Sequence, residues 1–465
     1  MANVEGTQDR QALAGRVAAR IDRLPLTRVQ WELAILVEIA WGFIIVDTDG
    51  IGARLYPFVW RPQHVIDTVQ YGVIQALQVG LGVLLGAYVM SWVAGRFGRR
   101  PAIILSLALG GVFLWPFAYV QSFWGLSLLS ILSTLGVGGI VATHAVYLTE
   151  MIAPEARNRV LLASQAVTPL VGVAISLLGF WLIPGEWRAF IWASALVLVV
   201  VLLPLVFWRL PESPRWLEAM GRHEDAEKAM ADLERRTADA LGASLPEPEE
   251  GRHPLFPPRG GAWRELFSSR RYRGRVLTLI VCWMFGYAGI VYGAGAFAGL
   301  YMVDHGGSPH FVFLLFTISY VFVFLSFLAN SWLRERVERR DTILLMTVVF
   351  SLAILAMYFH PTKPVLAVFF TMSRIGSILW LFNMYNYTAV AFATRIRSVA
   401  FAWTDGLAHL GAWAGVTLIG FLYGIGPNHL GWVFFIVVPG ALFPGFLIRF
   451  AGIKQAGMVL EQVST

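Results

Sequence analysis

Twelve apolar runs, each about long enough to cross a lipid bilayer as a helix, decide how this chain can fold. A membrane-spanning α-helix needs about 20 predominantly apolar residues. Hydrophobic residues make up 57% of the chain and charged residues only 14%, whereas soluble proteins carry about 25% charged residues. The sequence therefore predicts an all-α membrane protein with twelve transmembrane helices. The predicted spans lie near residues 31–53, 70–94, 102–120, 123–148, 160–183, 187–208, 276–303, 310–332, 342–359, 364–392, 398–424 and 429–450.

The spans fall into two sets of six, and a basic pattern follows the second span of each set. Residues 95–100 read GRFGRR after span 2, and residues 335–340 read ERVERR after span 8. A six-plus-six internal repeat explains this echo. We therefore predict two six-helix bundles with a linker between them. The division is an N-terminal tail at 1–30, a bundle at 31–208, a linker at 209–275, a bundle at 276–450 and a C-terminal tail at 451–465.

The linker itself has two parts. From Ser213 to Arg236, apolar residues recur at roughly helical spacing among charges, which predicts an amphipathic helix on the cytoplasmic side. Residues 242–262 are rich in Pro and Gly, as in a flexible connection.

The net charge of +7 could indicate a nucleic-acid partner, but the basic residues lie in short loops and tails. Placing the N-terminus in the cytoplasm puts most of the 36 Lys and Arg residues inside and leaves Arg54, Arg61, Arg188 and Lys363 in outer loops. This distribution obeys the positive-inside rule. We predict a multi-pass protein of the cell membrane, monomeric, with both termini cytoplasmic, the lipid bilayer as a partner and no nucleic-acid partner.

Several kinds of chemistry are disfavoured. Cys282 is the single cysteine and lies in an apolar run, so the chain can form neither an internal disulfide nor a cysteine metal cluster. A nucleotide-binding loop of the Gly-x-x-x-x-Gly-Lys type is missing, which argues against ATP-driven transport. Because no nucleophile, base and orienting group fall at one membrane depth, we predict that the chain is not an enzyme and uses no cofactor or metal.

Four short elements carry a resemblance to a known family. They are residues 95–100, the stretch Glu150 to Arg159, the stretch Pro211 to Leu217 and the run Thr394 to Arg397. Together they resemble the signature elements of the major facilitator superfamily. The Pro211 to Leu217 stretch is similar to that of sugar porters and of organic-acid and niacin-type proton symporters. The resemblance implies alternating access, in which two bundles rock about a central site lined mainly by helices 1, 4, 7 and 10.

The resemblance also implies a gate at the cytoplasmic end. There, charged side chains pair with acids or helix ends across the bundles. Several positions depart from the family pattern, among them Gly95, Ser130 and Val390, so we expect a rewired network of charges. The gating residues implied are Arg96, Arg99, Arg100, Glu150, Arg157, Glu335, Arg336, Arg339, Arg395 and Arg397.

Charged residues inside spans are functional hypotheses, because a charge at the centre of a span costs about 2.5–3.5 kcal/mol on insertion scales. Glu38, Asp47 and Asp49 fall in span 1, and Asp405 falls in span 11. These four are candidates for proton coupling. Asp49 could instead mark a helix break, and Asp405 could form a structural hydrogen bond with His409, one turn away.

Arg374, in span 10, is predicted to bind the carboxylate of a substrate, because a guanidinium at membrane depth keeps its proton and needs an anion. The alternative is a permanent ion pair with Glu38, Asp47 or Asp49. Polar and aromatic side chains of spans 4, 7 and 10 could complete a pocket, although each could equally be packing. They are His144, Tyr287, Tyr292, Trp380, Asn383 and Asn386.

The sequence therefore predicts a secondary active transporter. Its substrate would be a small organic solute, first of all an organic carboxylate, with aromatic acids among the candidates, and protons would drive its transport. Two alternatives stay open: a sugar or polyol carrier, and a non-transporting sensor or receptor built on a transporter scaffold.

Overall fold

The computed structural model describes residues 17–45, 51–248, 262–333, 337–392, 394–425 and 430–453. Within these ranges, nine helices are long and apolar enough to cross a membrane. Two shorter apolar helices and the two described parts of the first helix occupy the places of the remaining predicted spans. The predicted all-α membrane fold is confirmed.

The helices in membrane order are named α1 to α12. Helix α1 is described in two parts, Arg28–Phe43 and Ile51–Leu55, the second of which continues into a π-helical turn at Tyr56–Trp60. The other helices of the first bundle are α2 Thr68–Arg96, α3 Arg99–Ala118, α4 Phe123–Met151, α5 Val167–Leu182 and α6 Trp187–Arg209. Those of the second are α7 Tyr272–Asp304, α8 Pro309–Leu333, α9 Arg339–Phe359, α10 Lys363–Val390, α11 Thr394–Ile425 and α12 Leu430–Ala451.

Close glycine contacts hold α2, α3 and α4 together. A Cβ atom added at Gly138 of α4 would overlap the carbonyl oxygen of Val83 on α2, and one at Gly86 would overlap the carbonyl of Leu135. Gly136 meets α3 in the same way, at the Ser106 carbonyl. In lipid, such backbone approach replaces much of the hydrophobic driving force that water supplies elsewhere.

We call the end of the bundles that carries Arg99 the inner end, and the opposite end the outer end. At the outer end the two halves are joined by polar contacts. Arg61, after α1, pairs with Asp304 of α7 at 2.5 Å, and Asp304 also accepts a hydrogen bond from Tyr423 of α11. The Tyr71 hydroxyl of α2 donates to the Ala296 carbonyl of α7 at 2.6 Å. The outer end is therefore closed by contacts between the halves.

A seam of small residues extends this contact along the bundles. Gly72 of α2 lies against Gly420 of α11, where an added Cβ would come within 2.7 Å of the facing Cα. On the opposite side, Gly172 and Gly179 of α5 receive the rings of Tyr320 and Phe313 from α8. The two bundles thus meet through α2 with α11 and α5 with α8.

The linker differs from the single amphipathic helix expected between Ser213 and Arg236. It forms two helices, Pro214–Ala219 and His223–Leu241. The break falls at Gly221, whose φ of 76° lies in the left-handed region that ends a helix.

The longer linker helix is tied to the chain that precedes α1. Its apolar face buries Met230 and Leu233, as expected of an amphipathic helix, together with Ala226. Arg20 bonds Glu234 and Glu227 on this helix, each at 2.6 Å. Hydrogen bonds from Arg20 and Arg23 outweigh the effect of burial and lower the pKa of Glu234. The tail and the linker helix therefore form one charged contact at the inner end.

Helix packing at α2–α4 gives a stability prediction. We expect Gly138→Ala to lower the melting temperature of the detergent-purified protein, since overpacking a well-packed site costs about 1–3 kcal/mol. Gly95→Ala is the control, because nothing lies within 4 Å of a Cβ placed there. Equal melting temperatures for the two variants would contradict the assigned packing.

Candidate functional site

Three aromatic rings join the two halves near the middle of the molecule. Trp41 of α1 stacks on His144 of α4, with ring centroids 5.2 Å apart. Trp41 also meets Phe382 of α10 edge-on, at 6.0 Å. Three of the four helices expected around the central site, α1, α4 and α10, therefore converge here.

His144 is held by its own helix. Its Nδ1 lies 2.9 Å from the Ile140 carbonyl oxygen, which can only accept, so this nitrogen carries the hydrogen. The ring is buried against Trp41. The His144 ring therefore faces α1.

Asp405 of α11 is the centre of a buried hydrogen-bond cluster with α7 and α10. The Tyr287 hydroxyl donates to Asp405 Oδ1 at 2.6 Å and lies 2.9 Å from the Tyr385 hydroxyl. His409 Nδ1 lies 3.1 Å from the Asp405 backbone carbonyl, so the pairing expected of these two residues involves the main chain. Tyr287 opens a π-helical turn, Tyr287–Val291. Such turns are frequent at functional sites.

The remaining predicted pocket residues mostly serve the core of the second bundle. Trp380 is fully buried and packs on Trp283 and Gly286. The Asn383 and Asn386 amides donate to carbonyls of their own helix, at 2.8 and 2.7 Å. The structure therefore does not bring Trp380 to the three-ring contact of Trp41, His144 and Phe382.

Tyr292 lies at the edge of the Asp405 cluster. Its ring centroid is 5.2 Å from that of Tyr287 and 6.1 Å from that of His409. Tyr287 and Tyr292 are thus neighbours, as expected of one site, and both face α11.

Arg374 lines a cavity of about 60 Å³ inside the outer half of the second bundle. Its guanidinium lies over the Tyr320 ring at 5.4 Å, and Nη2 is 3.4 Å from the Tyr320 hydroxyl. Its Nε is buried and has no hydrogen-bond partner among the described residues. Aromatic and small polar side chains form much of the wall: Phe297, Tyr301, Phe316, Phe350, Phe370, Ser373, Ser377 and Tyr423.

Glu38 of α1 is 0% exposed, and neither of its carboxylate oxygens has a hydrogen-bond partner within the described ranges. The permanent Glu38–Arg374 ion pair considered from the sequence is therefore not formed. One turn further along α1, Gly42 packs against Thr168 of α5. The buried Thr168 hydroxyl also has no hydrogen-bond partner among the described residues. Among the described residues, α1 and α5 thus each carry a buried polar group without a hydrogen-bond partner.

At the inner end, the signature loop after α2 is bound to α4 and to the segment after α6. Arg99 pairs with Glu150 at 2.8 Å, and the Glu212 carboxylate accepts the backbone N–H of Arg99 at 3.0 Å. Gly98 has a φ of 123°, and a side chain there would overlap the Glu212 carboxylate. Burial raises the pKa of Glu212, opposed by hydrogen bonds from the N–H groups of Ser213, Arg99 and Arg100.

The last arginine of the signature loop contacts the end of the sixth helix of its own bundle in both halves. Arg100 donates to the Phe207 carbonyl near the end of α6, and Arg340 donates to the Gly452 carbonyl at 3.0 Å, just after α12. Arg100 and Arg340 hold the same place in the two repeats. Both contacts lie within one half, which corrects the expectation of partners across the bundles. The short loop lets the arginines reach helix ends of their own bundle.

The other predicted gating residues divide between described and undescribed positions. Arg96 is exposed, and Arg157 donates to the Ile152 carbonyl at 3.3 Å. Arg339 begins α9. Outside the described residues lie Asp47, Asp49, Glu335 and Arg336, and the side chains of Arg395 and Arg397 in the first turn of α11.

Arg54 and Arg340 are buried residues that the sequence did not single out. The positive-inside count placed Arg54 in an outer loop, but it lies in α1 and is 3% exposed. The apolar run 55–60, which continues beyond Arg54, was the available signal. Arg340 follows the predicted gating residue Arg339, and its match to Arg100 in the repeated pattern is the sequence signal for its role.

Two helical bundles, a seam between them and repeated arginine contacts at the inner end define a secondary transporter of the major facilitator superfamily. The chain belongs to the sugar (and other) transporter family, whose sequence profile matches residues 29–465. It is thus a multi-pass membrane transporter and not an enzyme.

Comparisons with individual proteins agree. The chain is 26% identical over 427 residues to the 4-hydroxybenzoate transporter PcaK of Acinetobacter baylyi, covering 86% of this chain and 88% of that one. It is 23% identical over 403 residues to the niacin transporter NiaP of the same organism, covering 85% and 88%. The inward-open xylose transporter XylE from E. coli superposes with a TM-score of 0.69 over 93% of this chain and 98% of that one, at 14% identity. This last likeness shows the fold alone.

The Asp405 cluster yields a second stability prediction. We expect Tyr287→Phe to destabilise the protein by about 1–3 kcal/mol, because it removes a donor from a buried carboxyl group. Thermal unfolding in detergent would measure the change. Tyr88→Phe makes the same chemical change at a side chain that is 63% exposed, and it should leave the melting temperature unaltered. If Tyr287→Phe matched Tyr88→Phe, the hydroxyl would have no stabilising role.

Proposed function

We propose that this transporter carries a small aromatic carboxylate by alternating access, with Arg374 as the ligand of the carboxylate group. The observation that carries the proposal is the guanidinium in the cavity wall, whose Nε is buried and lacks a partner in the described part of the chain. A guanidinium keeps its charge at any accessible pH and presents a planar pair of donors to a carboxylate. A bound carboxylate would supply the missing acceptor.

The cavity wall supports an aromatic substrate. The rings of Phe297, Phe316, Phe350 and Phe370 surround the space beside Arg374. Aromatic faces and edges pack favourably on a flat ring, so this lining suits a benzoate- or pyridine-type acid. The names of two relatives, a 4-hydroxybenzoate transporter and a niacin transporter, point to the same class of molecule.

Glu38 is our choice for the group that carries the coupled proton. A buried charged carboxylate without a partner is costly, and taking up a proton removes the charge. Asp405, by contrast, is already satisfied by Tyr287. Asp47 and Asp49, in the first span predicted from the sequence, are further candidates.

We also propose the orientation that follows from the positive-inside rule. The inner end would face the cytoplasm of the cell, and both termini would lie there. The closed outer end then corresponds to an inward-facing or occluded stage of the transport cycle. The Arg99–Glu150 and Arg100–Phe207 contacts would stiffen the first bundle as it rocks.

The test of the anion site is uptake of 4-hydroxybenzoate, benzoate, nicotinate and xylose into liposomes containing the purified protein. We expect carboxylate uptake, with binding weakened about 10- to 100-fold by Arg374→Gln, since a hydrogen bond to a charged group contributes about 1.5–3 kcal/mol. Arg235→Gln is the matched control, at a side chain that is 71% exposed on the linker helix.

Other outcomes separate the alternatives. Xylose uptake that is unaffected by Arg374→Gln would identify a sugar carrier. Binding of a carboxylate without any flux would identify a receptor. Either result would overturn the proposed function.

Coupling is tested with Glu38→Gln. We expect an inward proton gradient to accelerate carboxylate uptake by the unaltered protein and to have no effect on the variant. Exchange of labelled for unlabelled substrate at equal pH should survive in Glu38→Gln, because it needs no net proton movement. Gradient-driven uptake that persists in Glu38→Gln and is lost in Asp405→Asn would transfer the role to Asp405.

A further inference from the structure

Two glycines of α7 form part of the wall of the cavity beside Arg374. They are Gly293 and Gly295, and both lie in the helical segment Tyr292–Asp304 that follows the π-helical turn. A glycine inside a helix is less favourable than alanine by about 1 kcal/mol, because its backbone loses more freedom on folding. Each of these glycines therefore calls for a structural or a functional reason.

Close packing is the reason for Gly293. A Cβ atom added there would overlap the Ala288 carbonyl oxygen and would come within 2.9 Å of the Ile419 side chain of α11. Ala288 belongs to the π-helical turn Tyr287–Val291. Only a residue without a side chain fits at this point, so Gly293 serves the packing of the helix itself.

Packing does not explain Gly295. A Cβ atom added there would meet no heavy atom of the described residues within 4 Å. The backbone supplies no reason either, because Gly295 is not among the described glycines that adopt a positive φ. Since Gly295 lines the cavity, a side chain at this position would take up space beside Arg374.

The other helices around the cavity contribute bulky rings. Phe316 comes from α8, Phe350 from α9 and Phe370 from α10. On α7, by contrast, four of the five lining residues between Gly293 and Ala298 are glycine or alanine. The room for a substrate ring is therefore left by this part of α7.

We propose that Gly295 determines how large a ring the transporter accepts beside Arg374. This inference rests on the proposed function. With the carboxylate held by the guanidinium, the substrate ring extends along α7 into the space that Gly295 leaves open. A larger side chain at position 295 excludes the ring and leaves the guanidinium free to bind a carboxylate that carries no ring.

The test compares benzoate with propanoate, which has the same carboxylate but no ring. Binding to the purified full-length protein is measured by titration calorimetry. We expect Gly295→Leu to weaken benzoate binding about tenfold, equivalent to the loss of roughly two buried CH₂ groups, and to leave propanoate binding nearly unchanged. Gly295→Ala should have a smaller effect of the same kind, and Arg374→Gln should weaken binding of both acids.

Gly274→Leu is the matched control. Gly274 lies on the same helix, and a Cβ atom placed there likewise meets no heavy atom of the described residues within 4 Å. It is not among the residues described as lining the cavity. This variant should therefore leave the affinities for both acids unchanged.

A cysteine variant keeps the test decisive if Gly295→Leu proves unstable. The native Cys282 is 0% exposed, so a maleimide reagent should label Gly295→Cys against a low background. We expect benzoate to slow the labelling of Gly295→Cys and to have no effect on that of Gly274→Cys.

Two results would overturn the role of Gly295 while Arg374 retained its own. One is an equal loss of benzoate and propanoate binding in Gly295→Leu, or no loss of either. The other is a Gly295→Cys variant that the reagent does not label, or that benzoate does not protect. If the unaltered protein bound neither acid, the proposed function would fail together with this inference.

Discussion

In the hydrocarbon core of a bilayer, no water is present to pair with the backbone, so every N–H and C=O must be satisfied within the chain. Helices meet this requirement, and their association then depends on close backbone approach and on a few polar side chains. The contacts at Gly138 and Gly86 between α2 and α4, and at Gly72 and Gly420 between the halves, are of the first kind. These glycine contacts fix the distances between the helices and thereby the positions of the polar side chains on them.

The polar groups within the membrane fall into two classes: those that have a hydrogen-bond partner among the described residues and those that do not. Asp405 receives the Tyr287 hydroxyl, and His144 and Asn383 bond to carbonyls of their own helices. These residues are compensated in the conformation described. Glu38 and the Nε of Arg374 are not compensated by any described residue. Uncompensated groups are destabilising, so a ligand or a proton that arrives during the transport cycle gives the best account of why they are there.

The fold could be predicted from the sequence because span length, the positive-inside pattern and the repeated arginine motif are local signals. The equivalence of Arg100 and Arg340 shows that the repeat extends to individual hydrogen bonds at the ends of α6 and α12. Which residue a side chain contacts was harder to predict, because it depends on contacts between helices that are distant in the sequence. The gating arginines were expected to reach across the bundles, yet Arg99 binds Glu150 within its own half.

Arg54 illustrates the same limit at the outer end. An apolar run that stops at a charge predicts the end of a span, but α1 continues beyond Arg54 because the run 55–60 lets it pack against α7 and α8. Hydropathy alone cannot separate a charge in a loop from one enclosed by neighbouring helices. The π-helical turns that begin at Tyr56 and Tyr287 could not be predicted either, because such turns have no amino-acid composition of their own.

Arg61 and Arg374 lie in different surroundings, one at the outer surface and one in the wall of a cavity. Arg61 and Asp304 join the halves at the outer surface, where solvent screening makes an exposed ion pair weak, about 0–1 kcal/mol. Such a pair can open easily. A carboxylate held by Arg374 in the cavity of the second bundle would act in a drier environment, where charges interact more strongly. At the outer end, closure therefore depends more on close contacts between the halves, such as Gly72 with Gly420 and Tyr71 with Ala296, than on the Arg61–Asp304 pair.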